Sequence, residues 1–168
     1  MRVAVLRLTL LGLAMILGGC APSTIQAPRS QLETRQMQSR EFPTKASKEV
    51  MKAVLNALQD EGFIIDNAVS DLGLISAHRE EDSEPAGAAL FGAILGGPEA
   101  RWRKAVVREA TANISTYGEY TRVRLSLHEK VLDNRGGTLS TQEVRDSEVY
   151  RQLFSKVDKS IFLQGEDL

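Results

Sequence analysis

Two stretches of the chain carry apolar residues at helical spacing. The first lies between Pro43 and Gly62, and its apolar positions are Val50, Met51, Val54, Leu55 and Leu58. The second follows Asp146, and its apolar positions are Val149, Tyr150, Leu153, Phe154, Val157 and Ile161. We expect Thr44 and Asp146 to cap the starts of these helices, and Gly62 to end the first one in a left-handed conformation. The pattern therefore predicts two helices that each bury one apolar stripe.

Apolar and polar residues alternate elsewhere in segments that are typical of strands. The expected extended segments are 34–42, 63–66, 74–79, 103–115, 120–132 and 138–144. Turn residues occupy 71–73, 116–119 and 134–137. Helices with one apolar stripe bury it best across one face of an antiparallel sheet. We therefore expect an α+β fold in which two helices pack on one face of an antiparallel sheet of about five strands.

The first twenty residues follow a different pattern. Arg2 and Arg7 supply positive charge, residues 8–17 are apolar apart from Thr9, and two glycines precede Cys20, the only cysteine in the chain. This order of charged, apolar and small residues is typical of a secretory signal. The apolar run is shorter than the roughly 20 residues needed to cross a bilayer. We therefore expect residues 1–19 to be a cleaved signal peptide.

The end of this segment, Leu17-Gly18-Gly19-Cys20, resembles the lipobox of bacterial lipoproteins. The resemblance implies that the Cys20 sulfur carries a diacylglycerol, that cleavage precedes Cys20, and that the new amine is acylated, for example with palmitate. Two or three acyl chains give stable anchoring where one chain is marginal. Ala21 resembles the residue that follows the cysteine in lipoproteins of the outer membrane, because aspartate at that position favours retention in the inner membrane. The expected location is the periplasmic face of the outer membrane.

The rest of the chain divides into a tether and one domain. Residues 20–33 are polar and contain Pro22 and Pro28, which predicts a lipidated, flexible tether. Residues 34–168 are expected to form a single α+β domain. Without Arg2 and Arg7, 19 of the 21 basic side chains remain beside all 22 acidic ones, so the net charge is −3. This balance argues against nucleic acid as a partner.

An apolar insert at 81–101 interrupts the predicted strands. Residues 86–97 carry no charge, and the basic and aromatic residues 101–104 follow them. This segment is expected to cover the domain's own core, to dock a partner, or to dip into the adjacent lipid leaflet. For the last two interpretations, the candidate contact residues are Leu90, Phe91, Ile94, Leu95 and Trp102.

No catalytic or metal-binding motif stands out in the sequence. His78 is followed by Glu80, Glu81 and Asp82, but neighbouring residues of a strand point to opposite faces. The glycine-containing segment 94–98 is not a phosphate-binding loop, because it has neither the lysine nor the hydroxyl residue of that motif. We therefore expect no metal site, no cofactor and no enzymatic activity.

The predicted domain resembles a group of small uncharacterised bacterial lipoproteins. The matching segments are residues 58–63, 71–75, 150 and 160–163, and the element order is similar to the helix-grip arrangement of periplasmic lipoprotein domains. This resemblance implies a fold and an address but no activity. We expect a non-enzymatic accessory or adaptor that binds another envelope component, and the expected partner is an envelope protein. The alternative is a carrier of a lipid or small apolar ligand, with a pocket between helices and sheet and residues 86–97 as its lid.

Overall fold

The computed structural model of the protein describes residues 30–88, 94 and 99–166. The signal peptide and Cys20 lie outside these residues. The helices are α1 (Gln31–Met37), α2 (Ser47–Asp60) and α3 (Ser147–Glu166). The strands are β1 (Ser39–Phe42), β2 (Ile64–Val69), β3 (Leu74–Asp82), β4 (Arg103–Tyr117), β5 (Tyr120–Asp133) and β6 (Thr138–Glu143).

All six strands pair in one antiparallel sheet, in the order β1-β5-β4-β3-β2. The sixth strand, β6, pairs with β5 along the same edge as β1, because β1 covers residues 121–124 of β5 and β6 covers residues 128–132. The predicted α+β class and antiparallel sheet are confirmed. The described part of the chain has six strands and three helices, where about five and two were expected.

The hydrophobic core joins α2 and α3 to one face of the sheet. The sheet contributes alternate residues of its central strands, namely Ile75, Ala77, Ala110, Ala112, Ile114, Val123, Leu125 and Leu127. The helices contribute Val50, Met51, Val54, Leu58, Tyr150, Leu153, Phe154 and Val157, all at most 5% exposed. The predicted stripes are therefore confirmed at these positions. Val149 departs from them, because it is 40% exposed.

Helix α1 was not expected, since residues 20–33 were predicted to be a tether and 34–42 to be extended. The helix begins after Ser30, whose hydroxyl accepts from the backbone N–H of Glu33 at 3.2 Å. The Glu33 carboxylate in turn accepts from the N–H of Ser30 at 2.8 Å. This reciprocal capping box stabilises a helix that has no apolar stripe to predict it. Residues 31–33, which were predicted to belong to the tether, are therefore helical.

The predicted cap of α2 was wrong by two residues. Ala46 occupies the cap position and makes no side-chain capping bond. The Thr44 hydroxyl instead accepts from the backbone N–H of Ala46 at 3.1 Å, so it orders the loop before the helix. At the other end, Gly62 has a φ of 80°, and the predicted left-handed ending is confirmed.

The turn before β3 depends on Gly73. Its φ is 61°, and a Cβ atom built there would lie 2.0 Å from the carbonyl oxygen of Ile114. The Gly73 carbonyl also accepts from the N–H of Ile114 at 2.8 Å. Only glycine allows the β2–β3 turn to approach β4 this closely.

Strand β3 runs three residues further than predicted, which shifts the insert. Glu80, Glu81 and Asp82 pair with residues 105–107 of β4. The acidic side chains break the apolar alternation, so the sequence pattern did not predict a strand here. The backbone groups pair nevertheless, because that pairing requires no apolar side chain. The connection between β3 and β4 therefore spans residues 83–102, where the insert was predicted at 81–101.

Candidate binding cleft

The helix-facing side of the sheet changes from apolar to charged within one step along three strands. The apolar row consists of Ala77, Ala110 and Leu127, which are paired across β3, β4 and β5 and are buried. The polar row consists of Arg79, Arg108 and Glu129, which lie two residues further along the same strands. Residues two apart on a strand share a face. The polar row therefore continues the core surface with charged side chains.

A cleft of about 390 Å³ lies against the polar row, between the end of α2 and the start of α3. Its apolar wall consists of Phe63, Leu127, Val144, Val149 and Leu153. Its polar lining consists of the polar row together with Glu61, Asp146 and Gln152. The cleft therefore combines apolar contact area with fixed charges, as small-molecule and peptide sites do.

The two arginines of the polar row stand directly opposite each other on neighbouring strands. Arg79 Nη1 donates to the carbonyl oxygen of Glu61 at 2.6 Å, and its guanidinium carbon lies 5.5 Å from the Phe63 ring centroid. Arg108 Nε donates to Glu129 Oε2 at 3.1 Å. The terminal nitrogens of Arg108 have no acceptor within the described ranges. Opposed like charges repel, so this pair favours a carboxylate or phosphate beside it.

The carboxylates around the cleft already have partners. Glu61 forms an ion pair with Lys156 at 2.6 Å, and Glu129 is held within the polar row. Asp146 accepts from the N–H of Glu148 at 2.8 Å, which confirms the predicted cap of α3. A ligand in the cleft would therefore meet unused hydrogen-bond donors before it met unpaired carboxylates.

A buried polar cluster closes the gap that β1 and β6 leave along β5. The Leu127 N–H donates to the Tyr150 hydroxyl at 3.2 Å, and that hydroxyl donates to the Val144 carbonyl at 3.0 Å. Gln38 Nε2 donates to Glu143 Oε1 at 2.9 Å. Burial raises the pKa of Tyr150, and the hydrogen bond from Gln38 lowers the pKa of Glu143. The cluster holds two wall residues of the cleft, Leu127 and Val144, in place.

The end of the β3–β4 connection is tied to the β5–β6 turn through Asp133. This fully buried side chain accepts from the N–H groups of Arg135 at 2.9 Å and Gly137 at 2.7 Å, and from Arg101 Nη1 at 3.2 Å. The backbone hydrogen bond from Arg135 is the main reason why the pKa of Asp133 lies below its usual range. Asp133 thus fixes the point at which the connection joins β4.

The structure places two of the predicted contact residues. Trp102 is half-buried, and its indole N–H donates to Glu84 Oε1 at 2.8 Å. Ile94 is 67% exposed. Leu90, Phe91, Leu95 and the predicted lipidation site Cys20 lie outside the described residues. Contact of these side chains with membrane or partner stays a prediction.

The acidic stretch after His78 does not converge on the histidine. His78 Nδ1 lies 2.7 Å from Asp66 Oδ1 on the neighbouring strand β2. Among the described residues, no group of three or more His, Cys, Asp or Glu side chains is arranged to hold a metal ion. Of the described helices, none combines the length and apolar character that crossing a bilayer requires.

No protein-family model matches the chain, and no curated protein matches it.

Sequence reasoning did not single out the cleft, although one signal for it was present. Arg108 interrupts the alternation of Val106 and Ala110, and Glu129 interrupts that of Leu127 and Val131. A charge at an inward position of an otherwise apolar strand face marks the place where helix coverage ends. Phe63 carried no such signal, because its role depends on how α2 ends above β3.

Proposed function

We propose that the chain is a lipoprotein held at the periplasmic face of the outer membrane by lipid on Cys20. In this proposal its domain is a non-enzymatic accessory that binds another envelope component. The signal-peptide pattern of residues 1–19 and the lipobox-like Leu17-Gly18-Gly19-Cys20 support the anchor. Only nine residues separate Cys20 from Ser30, a length that can span at most about 35 Å. The domain would therefore work close to its membrane.

The cleft is the observation that carries the binding role. Its apolar wall lies beside the opposed guanidinium groups of Arg79 and Arg108, and Arg108 keeps free donors. This combination suits a protein segment that presents a carboxylate next to apolar side chains. The two longer helices and the antiparallel sheet also support the finer comparison with helix-grip domains, in which both helices pack on one face.

A site-specific crosslinker in intact cells tests this role. A photo-crosslinking residue at Gln152, which lines the cleft, is compared with one at Lys52, an exposed position of α2 away from it. We expect a discrete envelope protein to crosslink from position 152 only, and Arg108→Gln to abolish that product. Equal products from both positions, or a product indifferent to Arg108→Gln, would contradict the proposal.

A second candidate is a carrier of a lipid or small apolar ligand, which the 390 Å³ volume and apolar wall of the cleft favour. Native mass spectrometry of the gently purified chain distinguishes the two functions. Val149→Trp should fill the cleft, whereas Leu139→Trp alters an exposed position of β6. A bound small molecule that only Val149→Trp removes would favour the carrier. A ligand-free chain that still crosslinks from position 152 would favour the accessory.

A further inference from the structure

The sheet face opposite the helices carries a group of exposed arginines beside α1. We define the arginine surface as Arg35, Arg122, Arg124 and Arg145, with Tyr117 and Tyr120 at its margin. Arg35 and Arg124 line two adjoining depressions, one shared with Arg122 and the other with Arg145. Arg122 and Arg124 are residues i and i+2 of β5, so both point away from the core. The four guanidinium groups therefore face one side of the domain.

Carboxylates neutralise only part of this charge. Arg122 Nη2 pairs with Glu41 at 2.7 Å, and Arg145 Nε pairs with Glu143 at 3.1 Å. Neither the Arg35 nor the Arg124 side chain has a hydrogen bond or ion pair with any residue in the described ranges. Glu33, the single acidic residue of α1, is engaged in the capping box of Ser30. A local positive excess therefore persists on a chain whose formal net charge is −1.

Aromatic side chains border the arginines at the tip of the β4–β5 hairpin. Tyr117 and Tyr120 stack with ring centroids 6.0 Å apart, and the Arg122 guanidinium lies 4.7 Å from the Tyr117 centroid. Tyr117 is 47% exposed. Tyrosine next to arginine is typical of surfaces that rest at the level of lipid headgroups.

The arginine surface also lies at the N-terminal helix of the domain, which is the described helix nearest in sequence to the proposed anchor at Cys20. Arg35 belongs to α1, which begins directly after Ser30, within about 35 Å of Cys20 at full extension. The β3–β4 connection joins the opposite end of β4, a strand of 15 residues, which corresponds to about 45 to 50 Å. The anchor therefore brings the arginine surface to the bilayer more readily than it brings the connection.

We infer that the arginine surface binds the anionic phospholipid headgroups of the membrane that holds Cys20. This inference rests on the proposed lipid anchor and adds an orientation, in which the open sheet face lies on the bilayer and the cleft faces away from it. Arginine suits this role because its planar fork binds phosphate oxygens in pairs and keeps its charge at every physiological pH. A bilayer, unlike one small anion, presents phosphates to all four separated guanidinium groups together.

Hydrogen exchange of the full lipidated chain in vesicles tests the inference. We compare vesicles of phosphatidylcholine alone with vesicles containing 30% phosphatidylglycerol, an anionic lipid (about 0.05 M salt, where charges are weakly screened). We expect amide exchange in residues 31–37 and 113–124 to slow at least fivefold in the anionic vesicles, and raised salt to remove the difference. Arg35→Gln with Arg124→Gln should abolish the slowing.

A matched double variant controls for net charge. Lys48→Gln with Lys52→Gln removes two exposed cations from α2, on the other side of the sheet, and should leave the slowing intact. Equal exchange in both vesicles, or equal loss in both double variants, would overturn the inference. Equal slowing by soluble glycerol phosphate in neutral vesicles would also overturn it, because the surface would then be a site for free phosphate.

These measurements distinguish failure of the proposed anchor from failure of the inferred membrane contact. An unmodified Cys20 in the mass spectrum would defeat the proposed anchor whatever the exchange data show. A lipidated Cys20 with equal exchange in neutral and anionic vesicles would leave the anchor standing and defeat the orientation.

Discussion

The apolar row and the polar row lie side by side on the same three strands, yet one row is buried and the other borders the cleft. Ala77, Ala110 and Leu127 are at most 5% exposed beneath the two long helices. One step further, the Arg108 side chain is 41% exposed, and the row borders an open cleft. The backbone pairing continues unchanged through both rows. The extent of the core is thus decided by where the helices end and by three charged side chains, and not by any change in the sheet.

In the proposed function, the apolar row stabilises the fold and the polar row takes part in binding. Extending the core with apolar side chains at the polar row would close the cleft. The opposed arginines instead repel each other, and the cleft beside them stays open. Substitutions on the two sides of the boundary should therefore differ in what they alter.

The largest expected effect lies under α3. Phe154→Ala should destabilise folding by about 3–5 kcal/mol, because it removes a large side chain from the closed part of the core. Phe162→Ala is the matched control, since Phe162 lies on the same helix and is 64% exposed; it should change stability by about 0.5 kcal/mol or less. Chemical denaturation measures both. Similar losses in the two variants would show that α3 does not pack through Phe154.

A smaller effect is expected at the buried polar cluster beside the boundary. Tyr150→Phe keeps the ring but leaves the N–H of Leu127 without its acceptor, which should cost about 1–3 kcal/mol. Tyr120→Phe removes a hydroxyl from the hairpin tip and should cost much less. If denaturation curves of the two variants coincide, the Tyr150 hydroxyl does not support the edge of β5.

Converting the polar row to an apolar one should separate stability from binding. Arg108→Leu with Glu129→Leu replaces an ion pair by apolar side chains, and stability should stay within about 1 kcal/mol of the parent or exceed it. The crosslink from position 152 should nevertheless disappear. A strongly destabilised double variant would show that the pair is needed for folding, and an unchanged crosslink would show that it is not needed for binding.

The smallest effect is a pH dependence at Asp133. Because its pKa is lowered in the folded state, its stabilising contribution is present above the unfolded value of about 3.9 and is lost as the pH falls through the folded value. Melting temperatures measured between about pH 5 and pH 2 should therefore fall less steeply for Asp133→Asn than for the parent chain. Parallel curves would show that Asp133 gains nothing from its three hydrogen bonds.

The sequence predicted the core better than it predicted the boundaries of elements. Helical spacing located Val50, Leu58, Leu153 and Phe154 correctly, because amphipathic stripes are strong signals. It missed α1, which depends on a capping box, and the end of β3, where acidic side chains accompany ordinary backbone pairing.

The cleft could not be predicted, because it depends on tertiary geometry. Arg79 and Arg108 are 29 positions apart in the chain and become neighbours only through the register of β3 and β4. The arginine surface is likewise assembled from α1, β5 and the residue pair that follows β6. Alternation shows which face of its own strand a charged residue occupies, but it does not show which residues of other elements will share that face.

The proposed anchor is the central claim, and the mass of the N-terminus tests it most directly. The chain is isolated from the membrane fraction of the cells that produce it, and its N-terminal peptide is weighed. The proposal predicts a peptide that begins at Cys20 and carries diacylglycerol, and it predicts that Cys20→Ser yields an uncleaved chain without lipid. An intact Met1, or a chain that begins near Cys20 without lipid, would contradict it.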